Sequence, residues 1–135
     1  MSFRLGMLPP IQVAQTQAGR LSYVVSGFGA STIVLMNGAG VSLEGWRGLY
    51  PRIESMGTVF AWNRAGVKGS DAPRQPQTGV AVIASMRELL RYAGLEPPYV
   101  LVGHSLGGLF ANLFARLHPR EVRTAPDRSH APRRP

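Results

Sequence analysis

The chain has 135 residues, 44% of them apolar and 16% charged, which suits one folded domain with its own core and excludes a wholly disordered segment. The absence of cysteine excludes disulfides and thiolate metal sites, and no apolar run approaches the roughly 20 residues that span a bilayer. The net charge of +8 does not form a clustered patch: five arginines (Arg120, Arg123, Arg128, Arg133 and Arg134) follow Pro119 and the rest are scattered, so no nucleic-acid partner is expected.

The first ten residues, through Pro10, carry Arg4 but no sustained apolar stretch, a poor signal peptide. A cytoplasmic protein without a membrane partner is the expectation. Ile11 to Thr16 and Leu21 to Val25 read as two strands of a hairpin, turning at Ala18-Gly19-Arg20. After the break at Gly27-Phe28-Gly29-Ala30, Thr32 to Met36 is an unbroken apolar run, the pattern of a strand covered on both faces. The loop Asn37-Gly38-Ala39-Gly40 follows directly. Trp46, Leu49, Tyr50 and Ile53 then recur at helical spacing, predicting a short helix with Pro51 as a point of restart.

Thr58 to Trp62 is a further buried strand, and Asn63 to Pro73 a long polar loop. Thr78 caps a helix whose buried side carries Val82, Ile83, Met86, Leu89, Leu90 and Ala93, and Gly94 stops it. Pro97-Pro98 breaks the chain again, and Tyr99-Val100-Leu101-Val102 reads as a short buried strand. Gly103-His104-Ser105-Leu106-Gly107-Gly108 leads from it into a helix with Leu106, Leu109, Phe110, Leu113, Phe114 and Leu117 on one face. Strands alternating with helices predict a doubly wound α/β domain, its mostly parallel sheet opened by an antiparallel hairpin. From about Pro119 the pattern stops, so the chain divides into a core over residues 1–122 and an Arg/Pro-rich tail over 123–135 that is expected to be disordered.

A serine between two glycines at a strand-to-helix turn is a nucleophile elbow. The turn is too tight for side chains two residues either side, so Gly103 and Gly107 are required and Ser105 sits at the tip. Backbone N–H groups opening the helix then point at whatever oxygen becomes negative when Ser105 attacks a carbonyl. The competing reading is a glycine-rich turn with an idle serine. For the Asn37 loop it is a plain loop. A dinucleotide fingerprint fails there, because it would need glycine at Leu43. In a sheet of this kind ligands sit beyond the carboxyl ends of the strands, where the Asn37 loop, the Asn63 loop and Ser105 would meet.

These residues resemble the α/β-hydrolase family, in the branch with Gly-x-Ser-x-Gly-Gly elbows that includes esterases and proline-iminopeptidase-like enzymes. The resemblance runs from about Ile11 to Val122, roughly the N-terminal half of such an enzyme. Val100 to Gly108 is similar to its elbow, and Leu35 to Gly40 to its oxyanion loop, with Asn37 where the family usually has histidine. Trp62 to Asp71 is similar to its Asp-Arg-x-Gly-x-Gly-x-Ser loop, with Asn63 for the aspartate and Lys68 for a glycine. The resemblance implies that Ser105 is the nucleophile and that the backbone N–H groups of Leu106 and Ala39 form the oxyanion hole. It implies that Gly38 keeps the second loop close to the elbow and that the substrate is a small-molecule ester or other acyl compound, with no metal or other cofactor.

In this family the acid and histidine follow the serine, in the order Ser, Asp/Glu, His. His104 neighbours Ser105 across too tight a turn to serve as base and reads as a packed or hydrogen-bonded support. His118 lies at the far end of the elbow helix, about 20 Å away at 1.5 Å per residue. His130 and Asp127 lie on the tail, and Asp71 precedes the elbow at a loop position. The loss of pattern after Val122 reads as a truncation or a change of reading frame, leaving Tyr99 to Val102 as a bare apolar edge open to self-association or a partner. Two readings follow: a serine hydrolase inactive as the isolated chain, or a non-catalytic remnant or interaction module using that edge and the basic tail.

Overall fold

The computed structural model describes residues 8–123. Five strands form one sheet: β1 (Gln12–Thr16), β2 (Gly19–Ser26), β3 (Thr32–Met36), β4 (Thr58–Trp62) and β5 (Tyr99–Gly103), in the spatial order β1-β2-β4-β3-β5. Between and after them lie α1 (Tyr50–Glu54), α2 (Gly79–Tyr92) and α3 (Leu106–Leu117), with 3-10 turns at Leu43–Trp46 and Pro119–Glu121. β2 pairs antiparallel with both β1 and β4, whereas β3 pairs parallel with β4 and β5. β2 alone therefore runs against the other four, giving the mostly parallel, hairpin-opened α/β sheet that the sequence predicts.

The unbroken apolar runs have a simple cause. Along β3 and β4, Val34, Met36, Phe60 and Trp62 face the layer that holds α2 and α3. Ile33, Leu35, Val59 and Ala61 face the opposite layer, with Leu43, Trp46 and Tyr50. Side chains alternate in direction along a strand, so a strand covered twice must be apolar at every position. α2 is bounded as its sequence predicts: Ala81 N donates to Thr78 Oγ1 at 3.1 Å, and Gly94 takes φ +75° beyond the last turn.

The chain leaves β3 toward β4 on one side and later returns to place β5 on β3's other side. The segments following β3 and β5 pack on opposite faces, so a crevice opens between the carboxyl ends of these two strands, the place where such sheets bind ligands. It holds the Asn37 loop and the turn around Ser105.

Several local expectations are corrected. The hairpin turns at Gln17-Ala18, with β2 already begun at Gly19. The helical segment predicted over Trp46 to Ile53, with a restart at Pro51, is a 3-10 turn followed by α1, which begins one residue earlier, at Tyr50. On α3 only Gly107 and Phe114 are buried, and Leu109 is 67% exposed. β5 is less buried than its composition suggests, with Tyr99 enclosed and Val100, Leu101 and Val102 half-buried.

Order also continues past Pro119. The turn Pro119–Glu121 brings Val122 into a parallel bridge with Tyr99, and Arg123 N donates to Tyr99 O at 2.8 Å. Arg87 holds Glu121 through two hydrogen bonds of 3.1 and 2.7 Å. The hydrogen bond from Arg87 chiefly lowers the Glu121 carboxyl below its ordinary range. The outer edge of β5 is thus occupied at its first residue, and no named strand among the described residues pairs with the remainder. The rest of the tail, with Asp127 and His130, lies outside the described residues, as do residues 1–7.

Candidate active site

β5 ends at Gly103 and α3 begins at Leu106, leaving two residues to reverse the chain. Ser105 makes that reversal at φ +56°, ψ −120°, the one non-glycine residue with positive φ among the described residues. Such a conformation costs about 1–3 kcal/mol and persists only where its surroundings enforce it. The enforcement is visible: His104 N donates to Met36 O at 3.1 Å, Gly107 N to His104 O at 2.9 Å, and Gly108 N to Ser105 O at 2.8 Å.

The two flanking glycines are required by close backbone approach rather than by unusual torsions. A Cβ on Gly103 would lie 2.5 Å from Gly107 O and Gly108 N, and one on Gly107 would overlap Met36 O. Both demands match the sequence expectation. Gly38 differs: a Cβ there would lie 3.5 Å from Ser105 Cβ and His104 Nδ1, an ordinary contact. Its loop does lie against the turn, but space alone would admit a methyl group.

Asn37 is buried and works as a brace. Its Nδ2 donates to Val41 O at 3.0 Å, and its Oδ1 accepts from Trp46 Nε1. Neither the Ala39 N–H nor the Leu106 N–H has a hydrogen-bond partner among the described residues. Ser105 is exposed at the tip, and no hydrogen bond engages its Oγ there.

The Asn63 loop supports the crevice from below. Buried Asn63 accepts from Leu43 N at 2.6 Å and donates to Lys68 O at 2.6 Å and Ser22 Oγ at 3.1 Å. Asp71 is committed to the hairpin: its Oδ2 accepts from Arg20 N at 2.9 Å, and its own N–H donates to Arg20 O at 2.8 Å. One participant has no counterpart among the roles read from the sequence. Arg64 donates from Nη1 to Asn37 O at 2.8 Å and from Nη2 to Gly38 O at 2.6 Å, while its guanidinium carbon sits 5.2 Å from the centre of the Phe110 ring. Burial lowers the pKa of Arg64, yet a guanidinium remains charged at neutral pH. The signal available in the sequence was its place in the quoted loop, directly after β4.

The histidines are dispersed. His104 is exposed beside Ser105, and His118 closes α3, its Nδ1 3.6 Å from Glu121 Oε2 and its ring against Phe114. Next to the crevice, a hollow of about 190 Å³ is lined by Gly38, Val41, Gly45, Trp46, Leu49 and His104. A larger one of about 410 Å³ lies between the hairpin turn and α2, lined by polar residues including Arg74, Gln75, Glu88 and Arg91, and includes none of the elbow residues. Among the described residues no cluster of three or more histidine, aspartate or glutamate side chains is arranged to hold a metal, and no helix is long and apolar enough to cross a membrane.

A sheet with its second strand reversed, helices on both faces and a serine at the turn after β5 defines an α/β-hydrolase core. A family model of the alpha/beta hydrolase fold matches residues 31–125, and the chain belongs to this family. It is 34% identical over 96 residues to the uncharacterized protein YqjL of Bacillus subtilis, covering 71% of this chain and 38% of that one. Epoxide hydrolase A from Mycobacterium thermoresistibile superposes with a TM-score of 0.76 at 27% identity, over 84% of this chain and 37% of that one. A hydrolase from Pseudomonas aeruginosa PA01 gives 0.76 at 24% identity, over 84% and 43%, a likeness of fold. The chain spans less than half the length of each of these relatives.

Proposed function

We propose that this chain carries the nucleophile portion of a serine hydrolase acting on esters or related acyl compounds. Ser105 Oγ adds to the acyl carbon, and the carbonyl oxygen takes up negative charge between the N–H groups of Leu106 and Ala39. Collapse of that intermediate breaks the bond to the leaving oxygen, which departs as the alcohol with the proton that Ser105 gave up, relayed by solvent, and leaves an acyl-serine, which water then hydrolyses. The observation that carries the reading is Ser105 itself. It is an exposed hydroxyl held at positive φ on the crevice, with unpartnered N–H groups in the turn and in the adjoining loop. Strain of this kind is found where a reactive group is pre-set.

The proton of Ser105 needs an acceptor. His118 is about 20 Å along α3, and no base is hydrogen-bonded to Ser105 Oγ among the described residues. In serine proteases an oxyanion hole and binding alone leave about 10³–10⁴-fold catalysis over water once the triad is lost, an upper expectation for this 135-residue chain. It should therefore hydrolyse activated aryl esters barely above background, and a fluorophosphonate should label Ser105 slowly.

The test compares wild type, Ser105→Ala and His130→Ala. Slow labelling confined to Ser105 and abolished by Ser105→Ala supports the proposal; hydrolysis that survives Ser105→Ala overturns it. Robust activity lost in both variants would make His130 a working base. Epoxide opening, the reaction named for the mycobacterial neighbour, is the parallel assay that would reassign the substrate class. A second reading, a non-catalytic module that pairs through the edge of β5, is favoured by the half-exposure of Val100 to Val102. Concentration-dependent association in sedimentation, without Ser105 labelling, would favour it.

A further inference from the structure

We infer that Arg64 is a positioning residue that sets the direction of the Ala39 N–H, the donor assigned above to the oxyanion; the inference rests on that assignment. In a trans peptide unit the C=O and N–H point in opposite directions. The carbonyl of Gly38 and the N–H of Ala39 share one such unit, and the carbonyl of Asn37 and the N–H of Gly38 share the one before it. Arg64 Nη2 donates to Gly38 O at 2.6 Å and Nη1 to Asn37 O at 2.8 Å. Two prongs of one rigid fork therefore fix two successive peptide planes. With Gly38 O drawn to the guanidinium, the Ala39 N–H must face away from it.

The loop needs such a fixture. Asn37-Gly38-Ala39-Gly40 has two glycines in four residues, and glycine offers little resistance to rotation of the neighbouring peptide planes. The other hydrogen bond to Gly38 O comes from Val41 N at 3.3 Å, longer than either bond from Arg64. Arg64 is held in turn: its neighbour Asn63 is locked by three hydrogen bonds, and its guanidinium lies 5.2 Å from the centre of the Phe110 ring on α3. One side chain thus ties the loop after β3 to the helix that the Ser105 turn opens. No carboxylate pairs with Arg64 among the described residues. Its charge is directed at these carbonyls, and polarising a peptide unit through its oxygen strengthens its N–H as a donor.

The test is made on the full ¹⁵N-labelled chain. Residual dipolar couplings report the direction of each N–H bond in wild type, in Arg64→Met, which keeps the stem and removes the fork, and in Arg64→Lys, which keeps the charge alone. The expected result is a change at Gly38 and Ala39 in both variants, with couplings in β3 and β4 unchanged; in a third variant, Arg64→Ala, methylguanidinium should restore the wild-type values. Labelling of Ser105 by a fluorophosphonate should slow about tenfold or more in Arg64→Met through its maximal rate, with the probe's initial affinity retained. Unaltered Gly38 and Ala39 couplings in a folded variant overturn the inference. Should Arg64→Met fail to fold, Arg64→Lys is read by the same couplings. Failure of the underlying assignment looks different: the Ala39 and Leu106 amide shifts would then ignore phosphonylation of Ser105 in wild type, whatever the couplings show.

Discussion

The loop after β4 and the turn after β5 meet at the same edge of the sheet and are built on opposite terms. Around Asn63 the polar groups are spent: its side chain makes three hydrogen bonds, Ser70 Oγ donates to Asn63 O at 2.7 Å, and Asp71 closes on Arg20. Around Ser105 the backbone is strained, and two N–H groups and a hydroxyl are left open. Burying a polar group unpaired costs about 1–3 kcal/mol, so the first arrangement is what stability selects. The second is tolerable only at the surface, and it leaves the donors and the hydroxyl facing outward. The saturated loop is the foundation on which the unsaturated turn is held.

The sharpest way to break this contrast is to fill the space beneath the turn. Gly107→Ala places a methyl group against Met36 O, a backbone atom that cannot yield without moving β3. The expected loss is about 3–5 kcal/mol, read by urea unfolding. A variant that melts like wild type would show that the turn is not backed by the sheet as described. Next in size is Asn63→Leu, which keeps the branched outline and orphans Leu43 N and Lys68 O. A loss of about 2–4 kcal/mol is expected, with Ser105 labelling falling in parallel as the loop loosens. The third effect has the opposite sign. Ser105→Gly relieves the positive φ and should raise stability by about 1 kcal/mol while abolishing labelling. A loss of stability would mean that the serine conformation is not strained.

The smallest effect lies where the chain leaves α3. Arg87 holds the Glu121 carboxyl below its ordinary range, so the folded state binds that proton less readily than the unfolded chain. The contribution is fully present above the unfolded pKa of about 4.3 and is lost as pH falls through the lowered folded value. The pair is partly exposed, and under about 1 kcal/mol is expected. Glu121→Gln should flatten that part of the acid-side stability curve; an unchanged curve would separate the ion pair from the docking of Val122 on Tyr99.

Much of the sheet was legible because its cause is local. A strand covered twice must be apolar throughout, and Ile33 to Met36 and Val59 to Trp62 state this directly. The cap at Thr78 and the stop at Gly94 are likewise written in single residues. The turn was legible through two glycines whose missing side chains are the message. The buried face of α3 was not. Periodicity aligns Leu109 with Phe110 and Phe114, but which side meets the sheet is set by the torsions of Ser105, so Leu109 faces outward. Arg64 was unreadable for another reason: its partners are carbonyls, which every residue carries and no pattern marks. The bridge from Val122 to Tyr99 was not readable, because one isolated bridge needs no apolar run. The asparagines at 37 and 63 were visible as departures, yet each pairs through an amide that both donates and accepts, and residue identity alone does not specify the partners.

The order β1-β2-β4-β3-β5 has a consequence for how the chain is made. β3 lies between β4 and β5, but on a ribosome it emerges before either of them. Its first neighbour, β4, is synthesised about 20 residues later, whereas β5 follows after about 60. At a translation rate of roughly 5–20 residues per second, one edge of the most apolar strand stands unpaired for several seconds. Contacts so distant in sequence also close slowly in refolding. The segment most exposed to chaperones, or to wrong partners, during synthesis is therefore Thr32 to Met36, the strand most thoroughly buried once the fold is complete.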